Sequence, residues 1–163
     1  MGSACKVDGI QIQKDGTAKK TKANVRKIQT MIKARAVVDE ITDENDSKVE
    51  KREKCFKWIF QFPYRRYRLL KPIYKQEGWE VDFANDIFDN KKGCCVSESS
   101  ALAFLFHECG YKTVYICHDT GHAWVELEGR VYDPLFAEAK DYEQYYNRSY
   151  KGFGMYPVDK RQI

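Results

Sequence analysis

The stretch from Gly93 to Asp133, GCCVSESSALAFLFHECGYKTVYICHDTGHAWVELEGRVYD, decides the fold class. It sets a cysteine pair before an apolar helix, a histidine before a strand and an aspartate on the next strand. That is the order a thiol nucleophile, its base and the base's orienter require. Between Ser99 and Cys109 the apolar residues Ala101, Leu102, Leu105, Phe106 and Cys109 recur at the spacing of one buried helical face, and Gly110 stands where a left-handed cap is expected. Gly93 allows a close approach to the first turn, so Cys94 and Cys95 fall at the helix N-terminus. Unpaired backbone N–H groups and the helix dipole lower a thiol pKa there from roughly 8.5, and the same N–H groups can donate to an oxyanion.

Downstream, Tyr111 to Cys117 is rich in β-branched and aromatic residues, and His122 to Leu127 alternates in the same manner. Glu128-Gly129 reads as a two-residue turn into a strand over Arg130 to Leu135, although Glu is not a favoured turn residue. That register sets Trp124 opposite Asp133 and makes His122 and Asp133 diagonal neighbours on one face, roughly 7–8 Å apart between backbones. A slip of one residue would put them on opposite faces.

These residues resemble the transglutaminase-like superfamily of cysteine enzymes. Its core reads roughly G-x-C-x-x-x-[AS] at a helix start, H-[AG]-W-V-E on a strand and D-P on the next. Gly93 to Ser99, His122 to Glu126 and Asp133-Pro134 stand in those places. The resemblance implies an α+β, papain-like core of bacterial type, with N-terminal helices and the cysteine helix packed on an antiparallel sheet. It also implies Cys95 as nucleophile, His122 as base and Asp133 as orienter, with no cofactor and no metal. The spacing from Gly93 favours Cys95 over Cys94, while Cys94 and Glu98 depart from the usual pattern. A protein or peptide amide is the implied substrate, attacked to give a thioester that passes to water or to an amine. Trp124 would then wall the site, and Tyr64 would donate to the oxyanion or touch substrate. Members of the family that have lost activity and act as binding modules give the non-enzymatic alternative.

With 163 residues and 43% hydrophobic content the chain suits one domain with a real core. Its net charge of +4 is too mild to argue for nucleic acid, and no apolar run approaches the ~18 residues of a membrane span. Met1-Gly2-Ser3-Ala4 reads as an expression scar, so residues 1–22 are a leader plus a linker or the end of a preceding module, and 23–163 the catalytic-type domain. Within the leader, Asp8-Gly9 and Asp15-Gly16 flank a short alternating piece over Ile10 to Gln13, read as a hairpin or an extended arm, with a faint likeness to anchoring repeats of bacterial surface proteins. An extracellular or cell-surface address follows from that likeness alone.

Helices are expected over Ala23 to Ile41, with Val25, Ile28, Ile32 and Val38 inward, and over Ser47 to Gln61, with Val49, Phe56, Ile59 and Phe60 inward. A third runs from Trp79 to Asp89, with Phe83, Ile87 and Phe88 inward. Tyr64 to Arg68 forms a basic, aromatic loop, Phe136 to Tyr146 a short helix or loop, and the glycines around Phe153 a turn or a final edge strand. Six cysteines, at 5, 55, 94, 95, 109 and 117, include no C-x-x-C pair, and Cys55 and Cys109 read as buried thiols. A zinc site on Cys109, Cys117, His118 and His122 is the rival reading, weakened because helix end and strand end lie a strand's length apart.

Overall fold

The computed structural model describes residues 5–7, 10–12, 18–19 and 22–163. It is a mixed α+β molecule: helices gather around one buried helix, which lies on a four-stranded antiparallel sheet. At the N-terminus, β1 (Cys5–Val7), β2 (Ile10–Ile12) and β3 (Ala18–Lys19) form an antiparallel meander, the hairpin alternative of the sequence reading. Met1 to Ala4 and the Asp8-Gly9 and Asp15-Gly16 turns lie outside the described residues. No helix of the described residues is long and apolar enough to cross a membrane.

Helix α1 (Lys22–Ile41) has the expected bounds but a different inward face. Met31, Ala34 and Val38 are buried, whereas Val25 and Ile32 are exposed, Ile32 at 63%. Positions 31, 34 and 38 share one stripe of a 3.6-residue period, and Ala34 is small enough for a neighbouring helix to approach. The basic side of α1 is also not simply solvated: Arg26 pairs with Asp82, Lys33 with Asp89 at 2.8 Å, and Arg35 with Glu108 at 3.2 Å.

Helix α2 (Lys48–Trp58) starts at Ser47, whose hydroxyl accepts from the Glu50 N–H while the Glu50 carboxylate accepts from the Ser47 N–H. This capping box closes both orphan donors at once. A single 3₁₀ turn, Ile59–Gln61, ends the segment before Pro63. Phe56 and Ile59 are fully buried and Phe60 half-buried, but Val49 in the first turn points outward.

A one-turn α3 (Leu70–Ile73), unsignalled in the sequence, precedes α4 (Trp79–Phe88), whose Phe83, Ile87 and Phe88 are inward as the periodicity predicts. Helix α5 (Cys95–Glu108) begins at the cysteine pair, as expected, and is buried on every side from Cys95 to Phe106. Its small residues Ser97, Ser99, Ser100, Ala101 and Ala103 make that possible, because neighbours can pack on faces that large side chains would hold off. Gly110 ends the helix with φ +96, the expected left-handed cap.

The sheet runs β6-β5-β4-β7, with β4 (Val114–His118), β5 (Ala123–Leu127), β6 (Arg130–Tyr132) and β7 (Asp159–Gln162), all antiparallel. Glu128 and Gly129 take φ +52 and +77, both left-handed, as a two-residue turn matching the strand twist requires. Leu127 pairs with Arg130 and Val125 with Tyr132, which is the predicted register. Strand β6 stops at Tyr132, however, and Leu135 lies in α6 (Pro134–Ala139) rather than in a strand. Asp133 is the reason: its carboxylate caps the helix and Pro134 occupies the first helical position, where a missing N–H costs nothing. Helices α7 (Tyr142–Tyr145) and α8 (Tyr150–Phe153) follow, Gly154 caps α8 at φ +80, and the edge strand comes later than expected, at β7.

The two sheet faces carry separate packing. Ala123, Val125 and Leu127 face the main core under α5, while Trp124, Cys117 and Val131 pack with Phe153 on the other face.

Candidate active site

Gly93 fixes where the cysteine helix begins. Its carbonyl accepts from the Arg65 N–H at 2.7 Å and its N–H donates to the Pro63 carbonyl at 3.3 Å, so Tyr64 runs beside it as a one-residue parallel bridge. A Cβ at Gly93 would sit 2.5 Å from Ser97 Oγ, so only glycine fits. Ser97 Oγ in turn accepts from the Cys94 N–H at 3.1 Å and donates to Asp86 Oδ2 at 3.1 Å; Asp86 is buried and paired with Arg68. A chain from Arg68 through Asp86 and Ser97 thus pins the helix start.

Cys94 is the N-cap and Cys95 the first helical residue. The Cys94 sulfur lies 3.7 Å from Ser97 Oγ. The neighbouring Cys95 thiol lowers the Cys94 thiol, against burial and with help from the N–H groups of Ser97 and Val96. The Cys95 thiol is pushed up because it donates to Cys94, is buried, and feels the Cys94 charge. The two buried sulfurs therefore share one ionisation at the positive end of α5. Cys95 differs in what else it meets: the backbone N–H of Ala123, next to His122, and the charge of Asp133. Of the doublet, it faces the sheet.

His122 ends the β4–β5 loop. Asp119 shapes that loop, its Oδ1 accepting at 2.8 Å from the N–H groups of both Gly121 and His122. His122 Nε2 meets Asp133 Oδ2 at 2.5 Å, the imidazole being 9% exposed and the carboxylate fully buried. The other oxygen of Asp133 accepts from the Phe136 N–H at 3.1 Å, so one carboxylate caps α6 and holds the ring. Phe136 stacks on the imidazole at 3.9 Å between centroids, fixing its plane from the side. With Nε2 on the carboxylate, Nδ1 is the nitrogen left for proton exchange with a nucleophile.

No protein-family model matches this chain, and no curated protein matches it.

Two further sequence candidates occupy different environments. Tyr64 is 56% exposed, and its phenol is raised by burial and by the charges of Cys95 and Cys94, which places it at the outer side of the cysteine pair. Trp124 is fully enclosed: its indole N–H donates to Tyr150 Oη at 3.2 Å and its ring meets Phe153 edge-on. It backs His122 at 6.2 Å instead of offering a surface to a ligand.

The four residues of the zinc reading go to four separate partners. Cys109 meets Cys55, Cys117 meets Tyr150, His118 stacks on Tyr74, and His122 binds Asp133. Among the described residues no group of three or more His, Cys, Asp or Glu is placed to hold a metal ion.

Several residues around the site carry no sequence signal. Asp86, Ser97 and Asp119 act through hydrogen bonds to segments remote in the chain or to loop backbone. Tyr74 is raised by burial and by the charges of Cys95, Cys94 and Asp119, and it lines a cleft of about 670 Å³ with Leu70, His118, Thr120 and Val158. Glu98, one turn into α5, is buried with Oε2 unpartnered among the described residues, and burial raises its carboxyl to about 9, with Glu138, Asp133 and Cys94 adding to the shift. A carboxyl so placed is protonated at neutral pH.

Proposed function

We propose that this chain is a thiol-dependent acyl-transfer enzyme acting on protein or peptide amides, with a papain-like transglutaminase core and Cys95, His122 and Asp133 as its triad. The observation that carries the reading is the buried 2.5 Å contact between His122 and Asp133, beside the end of α5 that bears Cys95. A desolvated carboxylate on one ring nitrogen fixes the tautomer and stabilises the imidazolium that forms in catalysis.

In this mechanism His122 Nδ1 takes the proton of Cys95, and the sulfur adds to the amide carbonyl carbon. The oxyanion lies at the N-terminus of α5, the positive end of its dipole, with the Tyr64 phenol on the outer side as a further donor. Collapse breaks the carbon–nitrogen bond; the amine or ammonia leaves with the proton from His122, and a thioester remains on Cys95. Water or an amine, deprotonated by His122, then releases the acyl group.

The lowering of the Cys94 thiol supports a second reading, in which Cys94 is the nucleophile and Cys95 its hydrogen-bond donor. The approach of Cys95 to Ala123 and Asp133 supports the first assignment. Iodoacetamide labelling followed by peptide mapping tests both. Fast modification of Cys95 near neutral pH, slowed in His122→Ala, supports the proposal; modification of Cys94 exchanges the two roles. Uniform labelling of all six cysteines overturns the enzymatic reading. An assay with a glutamine donor and an amine acceptor then separates transfer from hydrolysis.

A further inference from the structure

We propose that Cys55 and Cys109 are an oxidation site, a dithiol that closes to a disulfide and staples α2 to the C-terminal end of α5. The two sulfurs lie 3.5 Å apart although 54 positions separate them in the chain. A disulfide needs about 2.05 Å, so closure asks for about 1.5 Å of approach. Cys109 supplies the freedom for it: as the C-cap of α5 it stands at the helix end, its N–H shared between the Leu105 and Phe106 carbonyls.

The two thiols differ in the way a stepwise exchange requires. Cys55 is fully buried, while Cys109 is partly exposed and open to a small oxidant. A hydrogen bond from Cys55 lowers the Cys109 thiol, and Lys51 and Arg35 favour its charge against the opposing Glu108. The same bond, together with burial, raises Cys55. Cys109 is therefore the attacking sulfur and Cys55 the resolving one. Cys94, Cys95 and Cys117 lack this arrangement. Cys117 is buried beside Tyr150 Oη, and a bridge between the adjacent Cys94 and Cys95 would strain the peptide joining them.

The oxidant is a small-molecule disulfide, RSSR. The Cys109 thiolate attacks one sulfur, the RS–SR bond breaks, and the first RS⁻ leaves and takes up a proton. Cys55 then loses its proton and attacks the Cys109 sulfur of the mixed disulfide, expelling the second RS⁻ as RSH. The protein loses two protons and two electrons, and RSSR becomes two RSH.

The test is incubation of the whole chain with oxidised glutathione in native buffer, followed by alkylation and mass analysis. The expected product carries two fewer alkyl groups than the reduced chain and, those apart, is lighter by about 2 Da. Digestion after Lys and Glu should release the Cys55–Lys57 peptide joined to the Cys109–Lys112 peptide. The melting temperature should rise by roughly 5 °C or more and return on adding dithiothreitol. Cys55→Ala and Cys109→Ala should each abolish the cross-link and the rise. A stable glutathione adduct on Cys109 with Cys55 still alkylatable, or a cross-link that forms in urea but not in buffer, would overturn the proposal. None of these readouts depends on the enzymatic activity.

Discussion

Replacing Gly93 by alanine is the sharpest test of how the cysteine pair is positioned. The added Cβ would meet Ser97 Oγ at 2.5 Å and Ser97 Cβ closer still, whereas ordinary contact begins near 3.4 Å, so Ser97 must retreat by about 1.1 Å. Ile87 Cδ1, 3.2 Å from the same Cβ, closes the alternative direction. Ser97 cannot move that far and keep both its 3.1 Å hydrogen bonds, to the Cys94 N–H and to Asp86. Overpacking costs about 1–3 kcal/mol, and each buried hydrogen bond lost adds about 1 kcal/mol. The expected destabilisation is therefore about 2–5 kcal/mol, against the roughly 5–15 kcal/mol that a domain holds in reserve. Urea unfolding followed by tryptophan fluorescence measures it. The sulfur of Cys95 should also lose its alignment, slowing iodoacetamide alkylation about 100-fold, the usual result of a misplacement near 1 Å. A variant within 0.5 kcal/mol of wild type, as roughly the effect of an ordinary surface change, and alkylated at the same rate would refute the steric account of Gly93.

Asp133→Asn separates the two duties of that carboxylate. Asparagine still caps α6, so unfolding should shift by less than about 1 kcal/mol, while alkylation at Cys95 should fall by roughly 100-fold or more because the imidazole loses its charged partner; equal alkylation rates would remove Asp133 from the site. Glu98→Gln tests the buried acid through pH. A carboxyl raised to about 9 in the folded chain gives its full stability below the unfolded value near 4.3 and loses it as pH rises toward 9, at about 1.4 kcal/mol per unit. Wild type should therefore weaken between pH 5 and pH 8 by about 3 kcal/mol or more relative to the variant, and parallel curves of urea midpoint against pH would show that Glu98 is not held protonated.

Much of this architecture can be read from neighbours in the chain. Ser47 starts α2 and Gly110 ends α5 because such signals act over three or four residues, whereas Asp133-Pro134, read as strand through Leu135, opens α6 instead. The Glu128-Gly129 turn is two residues long, which fixes the pairing of β5 with β6 and, through the period of two along a strand, sets His122 and Asp133 on one face. The expectation failed where a neighbour from far along the chain chose the face. Val25, Ile32 and Val49 point outward since α1 and α2 meet the core on other stripes.

What the amino-acid order by itself determined, then, is the four long helices and the β4–β6 strands, the turn that registers the hairpin, and the placement of a cysteine doublet at a helix start. Only the tertiary structure decided which thiol of the doublet faces Ala123, that α5 is enclosed on all sides, that Trp124 lies behind His122 in the second core, and that Cys55 touches Cys109. The physical reason is range. Caps, turns and strand periodicity are set by backbone groups a few residues apart, whereas burial and sulfur–sulfur contact depend on how whole helices pack, and periodicity limits the faces available without naming the partner.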